Sequence, residues 1–159
     1  REAGSYGKDV RGLNRLHQFD KVEIVRIEHP SNTAKALEEM MEHVKGLLEK
    51  LGLQFRILRL CGGDTGFAAA MTYDFEVYSA AQQKWLEVSS VSRFDTFQAN
   101  RLKLRFKTAD KKTQLAHTLN GSALALPRIM ASLMENHQTA DGIVIPEVLQ
   151  PFTGFSKIN

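Results

Sequence analysis

One unbroken amphipathic stretch constrains this chain more than any other feature. Leu37, Met40, Met41, Val44, Leu47, Leu48 and Leu51 recur at spacings of three and four, which lays a single apolar stripe along a helix of about four to five turns. His29-Pro30-Ser31-Asn32 precedes the stripe and offers Ser31 or Asn32 as an N-cap, and Gly52 ends it. The paired methionines read as core filling rather than as a cofactor motif. A helix with one apolar face must bury that face against another layer.

Strand-like segments supply that layer. Residues 19–28 largely alternate apolar with polar side chains, the pattern of a half-buried strand. Residues 55–61, 72–78, 85–90 and 114–119 read as further strands, and the short link at 79–84 suits a hairpin. Residues 93–107 admit a helical turn around Phe97 followed by a strand over Leu102, Leu104 and Phe106. A second helix is expected over residues 123–137, burying Leu126, Ile129, Met130, Leu133 and Met134, with Pro127 in its first turn where a missing N–H costs nothing. Strands outnumber helices, so the expected class is α+β: a mostly antiparallel sheet with helices packed on one face.

Composition narrows the function. The 159 residues correspond to about one domain, and 43% hydrophobic with 25% charged residues is ordinary for a folded chain. The net charge of +3 admits an anionic partner without demanding one. One cysteine, Cys61, cannot form an internal disulfide, and no Cys/His group has zinc spacing. No apolar run approaches the roughly 18 residues of a membrane span, and no signal-peptide pattern opens the chain. A disulfide scaffold, a membrane protein and a zinc module are set aside.

Four constellations carry chemistry. Residues 4–15 hold three glycines with Lys8, Arg11 and Arg15, flanked by Glu2 and Glu23; mobile amides and cations suit a polyphosphate, although a solvated loop has the same composition. Glu87-Val88-Ser89-Ser90 closes a strand. Plain alternation puts Glu87 and Ser89 on one face and Ser90 on the other unless a bulge intervenes, and a carboxylate beside a hydroxyl offers hard oxygen ligands for magnesium. Asp74 and Glu76 would share a face of the neighbouring strand. Residues 118–128 run through Asn120, Gly121 and Ser122 to Arg128 near a helix start, where amide dipoles and a guanidinium can hold an anion. Residues 93–112 carry a net +5, which suits either RNA phosphates or a solvated hairpin. The five histidines show no ligand spacing, so no nucleophilic constellation is visible.

In order along the chain these pieces resemble the bacterial-type seryl-tRNA synthetases, a class II aminoacyl-tRNA synthetase family. Residues 1–23 resemble motif 2, Glu87-Val88-Ser89-Ser90 the family's Glu-(Ile/Val)-Ser-Ser segment, and His117-Thr118-Leu119-Asn120-Gly121-Ser122 through Arg128 with Glu135-Asn136-His137-Gln138 motif 3. Ile145-Pro146-Glu147-Val148-Leu149-Gln150-Pro151-Phe152 resembles its C-terminal signature. The resemblance spans residues 1–159 and implies a truncated class II catalytic domain, running from motif 2 to the C-terminus.

It further implies that L-serine is activated by ATP to seryl-adenylate and transferred to tRNA(Ser), with Mg2+, in a cytoplasmic homodimer. Arg15 and Arg128 would act on the phosphates, as catalytic groups. Arg1, Glu2, Phe19, Glu87, Val88, Ser89 and Ser90 would complete the ATP site, with Glu2 and Phe19 on adenine and Glu87 and Ser90 on the metal. Glu23, Asn120 and Ser122 would bind serine. In the family an arginine stands two residues before the motif 2 glutamate, the place just ahead of Arg1. The chain opens without Met, so it is expected to be a fragment with impaired activity in isolation. Met71 stands where many members carry lysine. The alternatives are a non-catalytic relative that binds nucleotide or RNA, and an unrelated basic RNA-binding domain.

Overall fold

The computed structural model describes residues 12–159. In chain order its main elements are β1 (Lys21–Glu28), α1 (Thr33–Lys50), β2 (Phe55–Arg59), β3 (Met71–Ser79), β4 (Lys84–Asp95), α2 (Phe97–Leu102), β5 (Arg105–Lys107), β6 (Thr113–Leu115), β7 (His117–Ala125) and α3 (Leu126–Asn136). Short elements close the chain: β8 (Gln138–Thr139), β9 (Gly142–Val144), α4 (Gln150–Thr153) and β10 (Lys157–Ile158). Five strands form the main sheet in the order β1-β7-β4-β3-β2, every neighbour antiparallel.

The apolar stripe of α1 lies on one face of that sheet. Ala36, Leu37, Met40, Val44 and Leu48 are buried against Phe75, Val77, Val91 and Leu119, with Leu124 and Ile129 continuing the core toward α3. Met41 and Leu47 pack at the margin of this cluster. The alternation of each strand then turns Glu23, Asp74, Glu76, Asn120 and Ser122 to the opposite face. The core face fixes the polar face, because a one-residue slip would exchange them.

Several sequence expectations are corrected. Asn32 takes the N-cap position of α1 but makes no side-chain cap; the His29 imidazole accepts from the Ser31 amide at 3.2 Å one turn earlier. The strand expected at 85–90 runs to Asp95, and Leu102 ends α2 instead of entering a strand. The strand expected at 114–119 is interrupted at Ala116 and resumes as β7 through Ala125, so the second helix begins at Leu126 rather than Ala123. Ala123, Leu124 and Ala125 are strand because the pairing of β7 with β1 continues through a register shift to Ala125, opposite Lys21. Of the five residues expected on the buried side of α3, Ile129 is buried and Leu133 packs on the core, whereas Leu126, Met130 and Met134 are exposed.

Gly121 explains the run of small residues in β7. It pairs with Ile24 on one side and Val91 on the other. A Cβ there would lie 2.9 Å from Val91 Cγ2, 3.1 Å from Val91 Cα and 3.2 Å from the Ser90 carbonyl oxygen. Two of those three atoms are backbone, which cannot rotate away. Gly121→Ala is expected to destabilise the fold by about 1–3 kcal/mol, read as a lowered denaturant midpoint; an unchanged midpoint would show that β4 and β7 are not held this closely.

Candidate functional site

The polar side of the sheet opens into a cavity of about 190 Å³. Arg15 and Phe19 line it from the segment before β1, Glu87 and Ser89 from β4, Ser122 from β7, and Arg128 from α3. Three stretches of chain far apart in sequence thus meet around one space. Val88, Lys21 and Asn14 complete much of the wall.

Arg128 ties these walls together. Its Nε donates to the Asn14 carbonyl at 3.2 Å, and its Nη1 donates to the Glu87 carbonyl at 2.6 Å. The Glu87 carboxylate stands 4.0 Å from the same Nη1. Pro127 sits in the first turn of α3, so Arg128 projects from the end of the helix where amide N–H groups lack intrahelical acceptors. The guanidinium and those amides add positive potential to the cavity.

A β-bulge decides which way the β4 oxygens point. Phe75 pairs with Ser89 and Glu76 with Glu87, leaving Val88 without a partner residue on β3. Val88 joins the core, and the extra residue shifts the alternation by one. Glu87 and Ser90 therefore share the polar face, opposite Glu76 and Asp74 respectively. Plain alternation, which separates them, fails at this point. Ser89 is turned inward and its hydroxyl donates to the Ser122 carbonyl at 2.6 Å, locking the bulge to β7.

Glu23 and Ser122 form the second half of the site. They are opposed in the β1–β7 pairing, and the Ser122 hydroxyl donates to Glu23 Oε2 at 3.3 Å. Lys21, on the same face two residues earlier, holds that oxygen at 3.0 Å. Asn120 lies two pairs further along β7 and does not line the cavity; its amide donates to Gln98 Oε1 at 3.3 Å, an oxygen that also accepts from Thr118 at 2.7 Å. Ser90 likewise stays outside the cavity wall, beside Asp74. Arg1 and Glu2 fall outside the described residues, as do Lys8 and Arg11.

Lys21, Asn14 and Gln98 were not singled out from the sequence. Alternation with Glu23 marks the face of Lys21, but nothing local marks the other two. Asn14 is 7% exposed, with a buried Oδ1 that has no hydrogen-bond partner among the described residues.

The donor set fits magnesium. Glu87 and Ser90 supply hard oxygens on one face, and the buried Asp74 Oδ1 next to Ser90 lacks a hydrogen-bond partner among the described residues. Magnesium is commonly held by one or two protein oxygens together with substrate phosphates, and no group of three or more His, Cys, Asp or Glu ligands occurs among the described residues.

Burial raises the Asp74 carboxyl above its ordinary value; the neighbouring charges of Glu76 and Asp64 add to this, and the Ser90 hydroxyl opposes it. A raised carboxyl pKa means that the folded state holds the proton more tightly than the unfolded state. Its contribution to stability is complete below the ordinary carboxylate pKa and is lost as pH rises through the folded value. Asp74→Asn cannot lose it. Melting curves from acid to neutral pH should show the variant gaining on the unsubstituted protein as pH rises; a constant difference would contradict the burial of a charged carboxylate at this position.

Residues 1–137 match the family model of the tRNA synthetase class II core domain (G, H, P, S and T). A serine–tRNA ligase of Salinibacter ruber is 57% identical over 160 aligned residues, which cover 99% of this chain and 37% of the relative. The chain therefore spans little more than a third of that relative's length. The seryl-tRNA synthetase of Pyrococcus horikoshii, solved in complex with ATP, superposes with a TM-score of 0.92 at 38% identity, covering 97% of this chain and 35% of that one. A cytoplasmic serine–tRNA ligase of Naegleria fowleri, solved with AMP, gives 0.87 at 29% identity over 96% and 36%. Both place the five-stranded antiparallel sheet with its covering helices in the expected class II architecture.

Proposed function

The chain belongs to the class II tRNA synthetase core family, and from that premise we propose that it carries the serine-activating centre of a serine–tRNA ligase. The observation that carries the reading is the single cavity in which Arg15, Phe19, Glu87, Ser122 and Arg128 meet. ATP and AMP in the two solved relatives support a nucleotide as its occupant.

In the first step a carboxylate oxygen of serine attacks the α-phosphorus of ATP. A P–O bond forms, the bond to the bridging oxygen breaks, and pyrophosphate leaves with its electron pair. In the second, a ribose hydroxyl of tRNA(Ser) attacks the carbonyl carbon, AMP departs and the hydroxyl proton passes to the medium or the leaving phosphate. Neither step requires a side-chain nucleophile. Positioning and charge stabilisation are the protein's contribution.

Each residue then has a physical task. Phe19 presents an aromatic face to adenine, with Glu2 at its polar edge. Arg15 and Arg128, both in the cavity wall, clasp the terminal phosphates, where the planar guanidinium fork matches phosphate oxygens; Arg1, Val88 and Ser89 belong to the same nucleotide site. Magnesium, when bound, neutralises phosphate charge, and Glu87 and Ser90 are the residues that would hold it. Glu23 and Ser122 face the amino acid, with Asn120 beside them. A site that hydrogen-bonds the hydroxyl of serine rejects alanine, because the smaller substrate leaves those groups unpaired. We place this chemistry in the cytoplasm and in a homodimer by family likeness. No helix among the described residues is long and apolar enough to cross a membrane.

Serine-dependent ATP–pyrophosphate exchange by the full-length protein tests the reading. Arg128→Ala should lower the exchange rate by about 10²–10³-fold, the usual loss when one preorganised donor to developing charge is removed. Glu23→Gln should raise the KM for serine while leaving that for ATP nearly unchanged. Exchange that survives Arg128→Ala at full rate would contradict the assignment.

A further inference from the structure

The turn out of β4 brings a glutamine onto the polar side chains of β7. Asp95 ends β4 with φ 46°, a left-handed conformation that aspartate tolerates better than most residues, and α2 begins two residues later. Side chains on either side of Gln98 hold that short helix in place. Ala99 is fully buried. The Phe97 ring meets Phe67 edge-on with centroids 5.5 Å apart, and the Arg101 guanidinium lies over it, 3.5 Å from its centroid.

Gln98 is thereby fixed against the sheet. Its Oε1 accepts from the Thr118 hydroxyl at 2.7 Å and from Asn120 Nδ2 at 3.3 Å. Thr118 is 3% exposed, so its hydroxyl relies on this protein acceptor in place of bulk water. Asn120 is two residues further along β7 and shares the same face. Its amide is a donor at one end and an acceptor at the other. With Nδ2 committed to Gln98, the remaining end is Oδ1, which has no hydrogen-bond partner among the described residues.

That leftover oxygen matches what an amino acid offers. A bound serine brings donors, three on its ammonium and one on its hydroxyl, and Glu23, two pairs from Asn120 and opposite Ser122, is an acceptor as well. An Asn120 amide turned the other way would set N–H against N–H or compete for the hydroxyl proton. We propose that Gln98 is a positioning residue for amino-acid recognition: it fixes the direction of the Asn120 amide, so that Oδ1 meets a donor of the bound serine. The inference rests on the serine-activation reading and adds to it a residue that acts through Asn120 without touching the substrate.

Serine-dependent ATP–pyrophosphate exchange by the full-length protein provides the test. Gln98→Met keeps the bulk and removes the acceptor; it should raise the KM for serine about three- to tenfold, the worth of one neutral hydrogen bond, and leave the KM for ATP unchanged. Gln98→Glu can only accept, so it should keep the KM for serine at or below its original value. In an Asn120→Ala background, Gln98→Met should have no further effect on that KM. Inhibition by L-alanine identifies the donor: weakened in parallel with serine, it is the ammonium; unchanged, it is the hydroxyl. A KM for serine raised by Gln98→Glu would overturn the inference even if Gln98→Met failed to fold, because it would show that the glutamine donates to Asn120. Equal effects of Gln98→Met with and without the Asn120 amide would overturn it too, as would a KM that Gln98→Met does not move, and in each case serine activation would stand. Absence of serine-dependent exchange in the unsubstituted protein would overturn serine activation itself, and the role of Gln98 with it.

Discussion

The guanidinium of Arg128 is the point on which the site depends. It is one side chain at the start of α3, yet its two donors hold the Asn14 carbonyl of the segment before β1 and the Glu87 carbonyl of β4. Those bonds close three walls around one space. A cation that already donates to two carbonyls is also partly fixed before any ligand arrives, so less rotamer freedom would remain to be lost on binding the proposed phosphate. The arrangement would be costly without a ligand if the guanidinium were fully buried and unpaired; paired as it is, and 19% exposed, it is stable in place.

The sheet serves that arrangement by keeping two kinds of surface apart. The side packed on α1 is apolar and fixes register, while the opposite side collects Glu23, Asp74, Glu76, Glu87, Ser90, Asn120 and Ser122. Carboxylates and hydroxyls at this density would repel one another in a mobile loop. On paired strands, backbone hydrogen bonds hold them in position, and Lys21 on Glu23 and Arg56 on Glu76 offset part of the charge. One departure from regular pairing, the bulge at Val88, puts the Glu87 carboxylate and the Ser90 hydroxyl on the same side. Tight contact of Gly121 with Val91 and the Ser89 hydroxyl on the Ser122 carbonyl leave that bulge little room to slip.

Much of this was readable from residue order alone, for identifiable reasons. The stripe of α1 is long and periodic, so both its existence and its buried face follow from spacing, and the strands beside it alternate clearly. The loop, the strand end and the helix start could each be marked as anion- or metal-suited from residue type. Their convergence could not, because nothing local states that Asn14, Glu87 and Arg128 touch. The bulge was hidden for a similar reason: alternation through Glu87-Val88-Ser89-Ser90 carries no sign of the extra residue, and only the pairing with β3 reveals it. Small residues at the end of β7 resembled a helix start, and their strand conformation comes from the pairing with β1, which runs on to Ala125. Gln98 went unnoticed because its role exists only in the hydrogen bonds it accepts from Thr118 and Asn120.

Calorimetric titration of the protein with a non-hydrolysable seryl-adenylate analogue, alongside the alanyl analogue that lacks only the hydroxyl, addresses most directly whether these separated segments build one serine-adenylate pocket. One site per chain is predicted for the seryl compound, with the alanyl compound bound about 10⁴-fold more weakly. Equal affinity for the two, or no saturable binding of either, would contradict it.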